Sequence, residues 1–214
     1  MTVKDALNKR HSIRAFLPKH IEKNILVDIL MSAVRTPSWA NSQPWEIFIA
    51  QGDTLNRIKK GYLESYANGT PTTTDIPRPS EWTEAAKERQ KQLRPDMVRD
   101  CGEEVSQFGS LNQEMFQAPA VIYICMDKRL SSWSLYDIGA YSQSLMLSAI
   151  EHDLGTIPAV TLTHFPQILR KELQIPEHFH ITIGIAIGYI DTKNGINRFV
   201  SGRSPIEETV RFFD

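Results

Sequence analysis

The sequence predicts a layered α+β domain. Two near-continuous apolar runs, 121–126 and 180–190, read as buried strands. Two segments with apolar residues at helical spacing, 21–35 and 135–153, read as helices. Strands and helices then alternate loosely along the chain around long helical insertions, the pattern of helices layered on a sheet.

The chain has 214 residues, enough for one well-cored domain and short for two independent ones. We therefore expect one domain over 1–214, with a helical and loop insertion at about 61–116. The formal net charge is −1, which does not fit a general polyanion binder and argues against a nucleic-acid partner. The N-terminus lacks the apolar core of a signal peptide, and no apolar run approaches the roughly 20 residues that span a bilayer, so the expected location is cytoplasmic, without a membrane partner. Cys125 lies in an apolar run and reads as a buried, inert thiol, whereas Cys101 lies in a polar stretch. No Cys/His spacing resembles a zinc site, so no metal is expected.

In chain order, 2–9 reads as a short helix and 10–18 as extended. In 21–35, Ile25, Ile29, Leu30 and Val34 form one stripe, and Pro37 stops the helix. A strand over 45–50 and a helix over 53–67 follow. Prolines, Gly69 and a threonine run make 68–80 a loop, expected to be mobile. The stretch 81–116 reads as charged helix broken near Pro95, and Pro119 precedes the buried strand 121–126. The helix over 135–153 has apolar residues on more than one side and is expected to be central, with Gly155 as its left-handed C-terminal residue. A short extended segment at 156–161, a helix at 164–173, the strand 180–190 and an irregular tail complete the chain. Gly184 and Gly188 lie inside that last strand and read as places of close packing. No G-x-G-x-x-G opens a helix, so a Rossmann site is not indicated.

Four clusters carry ligand-type chemistry. Arg10, His11, Ser12, Ile13 and Arg14 come first; in extended chain, Arg10, Ser12 and Arg14 share a side, and two guanidiniums with a hydroxyl suit a phosphate and polar ring edges. The second, from Pro37 to Trp45, combines a proline-restricted turn, the polar groups of Ser38 and Asn41, and the stacking face of Trp39. The third follows the central helix: Gly155 to Val160, where small residues and Pro158 let backbone amides approach a flat ligand. The fourth runs from Asn197 to Pro205 and contains Arg203. Singly, each also reads as a solvated segment, a plain turn or a strand entry.

Taken together, their order and spacing resemble the nitroreductase family. The resemblance covers nearly the whole chain. It rests on Arg-x-Ser-x-Arg near the start, Pro-Ser-x-x-Asn-Ser-Gln-Pro-Trp about 25 residues on, Asp137-x-Gly139 at the central helix, Leu-Gly-Thr after it, an apolar strand ending in Gly-Tyr, and Arg203-x-Pro205. The stretch around Pro79-x-Glu81-Trp82, residues 112–119 and Asn197-Arg198-Phe199 look most like the nitrobenzoate-reductase branch. Trp39 stands where smaller residues are frequent in the family, and no glutamate stands near Val160.

The resemblance implies a three-layer fold with a central, mostly antiparallel sheet flanked by helices, in an interlocked homodimer. It implies FMN at the dimer interface, with NAD(P)H as diffusible reductant and nitroaromatic or quinone-type small molecules as acceptors. Arg10, His11, Ser12 and Arg14 would hold the phosphate, ribityl chain and pyrimidine edge. Arg203 would reach the same phosphate. Pro37, Ser38, Trp39 and Asn41 would come from the partner chain, and Pro158, Ala159 and Val160 would lie along the flavin ring. The cofactor carries the redox chemistry, so no catalytic side chain is assigned. The insertion would roof the acceptor pocket, with Trp39, Tyr66, Trp82 and Phe108 as its aromatics. Another flavin reaction on the same scaffold, or a non-catalytic flavin sensor, remains an alternative.

Overall fold

Four strands form one antiparallel sheet in the order β1-β2-β4-β3: β1 Glu46–Gln51, β2 Ala120–Asp127, β3 Leu154–Ala159 and β4 Phe179–Tyr189. The computed structural model describes residues 1–213. Strands β2 and β4 are the buried centre, as their unbroken apolar sequences require. Side chains of β2 alternate between two cores: Val121, Tyr123 and Cys125 face one, and Ile122, Ile124 and Met126 the other. A register shift between Ile124 and Cys125 makes β4 change faces, so that Ile181 joins the first core while Ile185 and Ile187 join the second.

Each core is closed by helices, giving three layers. The second core lies under α2 Lys23–Ala33 and α6 Trp133–Glu151. The first is covered by α3 Gly52–Ala67, α4 Glu84–Cys101, α5 Phe108–Gln113 and α7 Pro166–Leu173. Helix α1 Val3–Lys9 opens on a capping box in which Thr2 and Asp5 exchange backbone N–H bonds. A short helix, α8 Ile206–Thr209, interrupts the tail.

Several local expectations give way to tertiary structure. Pro95 does not break α4, which runs through it to Gly102, whose φ of 60° ends the helix. Pro95 and Lys91, four residues before it, are both exposed, so the carbonyl that loses its donor faces water. Gly155 is not the left-handed residue after the central helix; Asp153 takes that conformation, with φ 55°, and Gly155 is inside β3. A Cβ on Gly155 would lie 2.5 Å from Ile13 Cγ1 and 2.7 Å from Ile190 Cγ1. Glycine is needed there for close approach, as it is at Gly184 against Leu162 and at Gly188 against Pro119. Cys101, despite its polar neighbours, is buried; both cysteines are free.

The 68–80 segment is tied down at three points. The Thr73 N–H donates to the His164 carbonyl at 3.0 Å. Asp75 pairs with the buried Arg170 guanidinium and accepts the Ile181 N–H at 2.8 Å. Arg170 also donates to the Pro176 and Phe179 carbonyls, which makes it the junction of loop, α7 and β4.

Candidate functional site

The extended segment carrying Arg10 to Arg14 is laid against the free edge of the sheet. Ser12 bridges Thr156 in parallel, and the Ile13 N–H donates to the Thr156 carbonyl at 3.0 Å. Ile13 and Ala15 are buried while Ser12 and Arg14 are half-buried, the alternation expected of extended chain. The same edge strand leads to Pro158, Ala159 and Val160, so the first and third clusters become neighbours. Pro158 and Ala159 are half-buried, and Val160, the first residue of a 3-10 turn, is exposed.

The fourth cluster joins them through Asn197. Its side chain accepts the backbone N–H groups of Arg14 at 2.7 Å and Ala15 at 3.1 Å. It donates to the carbonyls of Ala15 at 2.8 Å and Asp191 at 3.0 Å. His11 Nε2 lies 3.3 Å from the Asn197 carbonyl. Beyond this clamp the chain passes Phe199 and reaches Arg203, whose charge is felt at Arg10.

Arg10 and Arg203 thus lie within range of each other's charge and Arg14 follows on the same extended segment, and none of the three forms an ion pair with a carboxylate among the described residues. Burial, followed by the Arg203 charge, pulls the Arg10 guanidinium below its ordinary pKa. Burial does the same to Arg14, against an opposing effect of Cys101. The Arg14 guanidinium lies 5.8 Å from the Phe108 ring centre and 5.3 Å from that of Phe199. It donates to the Ser12 carbonyl at 3.0 Å, while its buried Nε has no partner among the described residues. A buried, unpaired N–H on a cation is costly unless an acceptor arrives.

The second cluster lies elsewhere in the same chain. Its polar contacts run to the first turns of α6: the Trp39 N–H donates to the Asp137 carboxylate at 3.2 Å, and the Trp39 and Trp133 rings meet edge to face at 6.3 Å. Ser38 Oγ accepts the Gln43 N–H at 2.9 Å. Ala40, Asn41 and Gln43 all have positive φ, an unfavourable backbone for three residues with side chains. Pro37, Ser38, Trp39, Trp133, Tyr136 and Asp137 line a groove of about 500 Å³. Trp39, Trp133 and Tyr136 are 69%, 68% and 77% exposed, an aromatic surface left open on the single chain.

Of the expected lid aromatics, Phe108 is brought to Arg14. Tyr66 instead donates to or accepts from His164 Nδ1 at 3.0 Å and packs on Phe165 under the 68–80 segment. Trp82 is exposed just before α4. Trp133, Tyr136 and Asn197 were not singled out as site residues by sequence reasoning. Two large aromatics in the turn before Asp137 are a legible hint; Asn197 opens the fourth cluster, but nothing local marks its side chain as a clamp on the Arg14 and Ala15 backbone.

A sequence profile of the nitroreductase family matches residues 7–189. A 4-nitrobenzoate reductase of Nocardioides sp. is 28% identical over 215 residues, covering 95% of this chain and 86% of that protein. A 4-nitrobenzoate reductase of Pseudomonas putida is 27% identical over 197 residues, covering 88% and 85% respectively. Among solved structures, the FMN and NADPH-dependent nitroreductase NfnB of Sphigopyxis sp. strain HMH superposes with a TM-score of 0.92 at 22% identity, over 100% of both chains. The FMN-dependent NfnB of Mycobacterium smegmatis in complex with NADPH gives 0.89 at 23% identity, over 99% of this chain and 97% of that one. The three-layer arrangement expected from the motifs is therefore the fold observed.

Proposed function

The chain belongs to the nitroreductase family, and from that premise we propose that it is an FMN-dependent NAD(P)H oxidoreductase reducing nitroaromatic or quinone-type acceptors. The observation that supports this reading is the repulsion between Arg10 and Arg203, with Arg14 on the same extended segment against β3 and its Nε buried and without a partner among the described residues. An anionic, flat cofactor fits those residues. A phosphate relieves the repulsion between Arg10 and Arg203, and a ring-edge acceptor satisfies the orphaned Nε. The names of the relatives point to nitroaromatic acids as the acceptor class.

In this reading Arg10 and Arg203 hold the phosphate, and His11 and Ser12 the ribityl chain. Arg14 faces the pyrimidine edge, where its charge favours the reduced flavin. Pro158, Ala159 and Val160 form the apolar wall along the ring. The chemistry that bound FMN supplies is two-electron transfer from NAD(P)H to the acceptor. The chain's own task is to orient the partners and keep water from the reacting face. A nicotinamide that stacked on the ring would need no separate dinucleotide fold.

The open groove of Pro37, Ser38 and Trp39 belongs, on this reading, to the flavin site of a second copy, with Asn41 contributing from the same turn. That makes the homodimer the working unit. The 61–116 insertion, through Tyr66, Trp82 and Phe108, roofs the acceptor pocket of one domain. Dependence on NAD(P)H suits a cytoplasmic setting. Among the described residues, no helix is long and apolar enough to cross a membrane.

The test is an absorbance spectrum of the purified protein, with the released chromophore identified, followed by NAD(P)H turnover with a nitrobenzoate. We expect flavin bands, FMN at about one per subunit, and parallel double-reciprocal lines for the two substrates. A colourless protein that takes up no added FMN overturns the proposal.

A further inference from the structure

Asn197 saturates its side chain with four hydrogen bonds. Its oxygen accepts from two successive backbone amides and its nitrogen donates to two carbonyls, the full capacity of an amide with one bond per lone pair and proton. The residue is buried, and it lies more than 180 positions along the chain from Arg14 and Ala15. Three of its bonds hold the backbone of Arg14 and Ala15, and Phe199, two residues on, supplies one of the two rings against the Arg14 guanidinium.

We propose that Asn197 is a positioning residue for the flavin site, aiming the Arg14 guanidinium at the pyrimidine edge and so raising the reduction potential of the bound flavin. The inference rests on the FMN reading above. The Arg14 side chain has a long stem and, among the described residues, one hydrogen bond from its guanidinium, to the Ser12 carbonyl. Its direction is therefore set by the frame of its own backbone and by the rings on either side. Asn197 governs the first directly and the second through Phe199. It also ties the Arg10–Arg14 segment to the tail that carries Arg203, which joins the phosphate end and the ring end of the site. A cation attracts the extra negative charge of reduced flavin more than the oxidised ring, and that preference falls as the cation moves away. Loosening the clamp lowers the potential.

The Asn197→Asp variant has nearly the same shape. It keeps the two acceptor bonds, loses both donor bonds and leaves two carbonyls unmatched. We would prepare it alone and with Arg14→Ala, load each protein with FMN, and measure the midpoint potential, FMN affinity and melting temperature. The expected result is FMN binding at least tenfold weaker. The potential should fall by about 30 mV, which is a tenfold shift in a two-electron equilibrium. In the Arg14→Ala background the same change should leave the potential where Arg14→Ala alone puts it, because the effect travels through Arg14.

An unchanged potential with a lowered melting temperature makes Asn197 a stitch of the fold and nothing more, and overturns the proposal. So does an equal fall in the Arg14→Ala background, which marks a direct effect of the new charge. The neutral Asn197→Gln variant, which shifts the amide by one methylene, answers the same question if the aspartate variant does not fold: a lower potential supports the proposal, an unchanged one overturns it. Wild-type protein that binds no FMN removes the function reading itself. FMN-loaded wild-type with unaffected variants removes only the inference about Asn197.

Discussion

The side of Gly155 that carries no Cβ is where the candidate site meets the sheet. Ile13 Cγ1 and Ile190 Cγ1 occupy the space a methyl group would take, at 2.5 and 2.7 Å. A Gly155→Ala substitution must push the Arg10–Arg14 segment off β3. Overpacking of this kind costs about 1–3 kcal/mol. The variant should melt lower and, because Ile13 precedes Arg14, bind FMN more weakly; thermal unfolding and FMN titration that both match wild type would refute the contact. The glycine itself was legible in the sequence, but its role was not. A glycine after a helix is ordinarily read as a left-handed cap, and only the pairing of β3 with its neighbours shows that spacing is what it provides.

At the scale of elements, the 68–80 segment and α7 are joined by one buried charge. Arg170 is 7% exposed and its hydrogen bonds serve Asp75 and two carbonyls. Removing one partner of a buried pair leaves the other desolvated and unmatched, at about 3–5 kcal/mol. Arg170→Ala should therefore destabilise the protein by that order in chemical denaturation and speed amide exchange at Thr73 and Ile181; exchange at those amides equal to wild type would show that the loop is held by something else. The loop's composition, rich in proline and threonine, signals an irregular path but says nothing about anchorage, because Asp75 meets a residue 95 positions away. Helix α4 teaches the same lesson in reverse. A proline predicts a break from local sterics, yet the lost bond faces water and the helix continues to Gly102.

For the whole molecule, the decisive feature is the aromatic surface that one chain leaves bare. Trp39, Trp133 and Tyr136 line a groove whose only carboxylate, Asp137, is already engaged by the Trp39 N–H. The proposed dimer covers it. Light scattering should give twice the chain mass, and Tyr136→Asp should lower both dimer content and FMN retention, since the same groove is assigned to both. A monomeric wild type that retains FMN would contradict that coupling. Exposed Ile206, Phe212 and Phe213 in the tail add further apolar surface of the same kind.

The sequence by itself determined the elements whose signal is local. The runs 121–126 and 180–190 are too apolar to lie anywhere but in the middle of a sheet, and the periodic stripes at 21–35 and 135–153 had to face a core. It also determined the ligand-type clusters, because the spacing of Arg10, Ser12 and Arg14 and the turn from Pro37 to Trp45 are short-range patterns. What only the tertiary structure decided is which clusters meet. The strand order puts β3 at an edge, where the Arg10–Arg14 segment can lie against it, and Asn197 then draws in the tail with Arg203. Those contacts join residues more than 140 positions apart. Their energies come from burial and pairing between distant surfaces, which no window of local sequence contains.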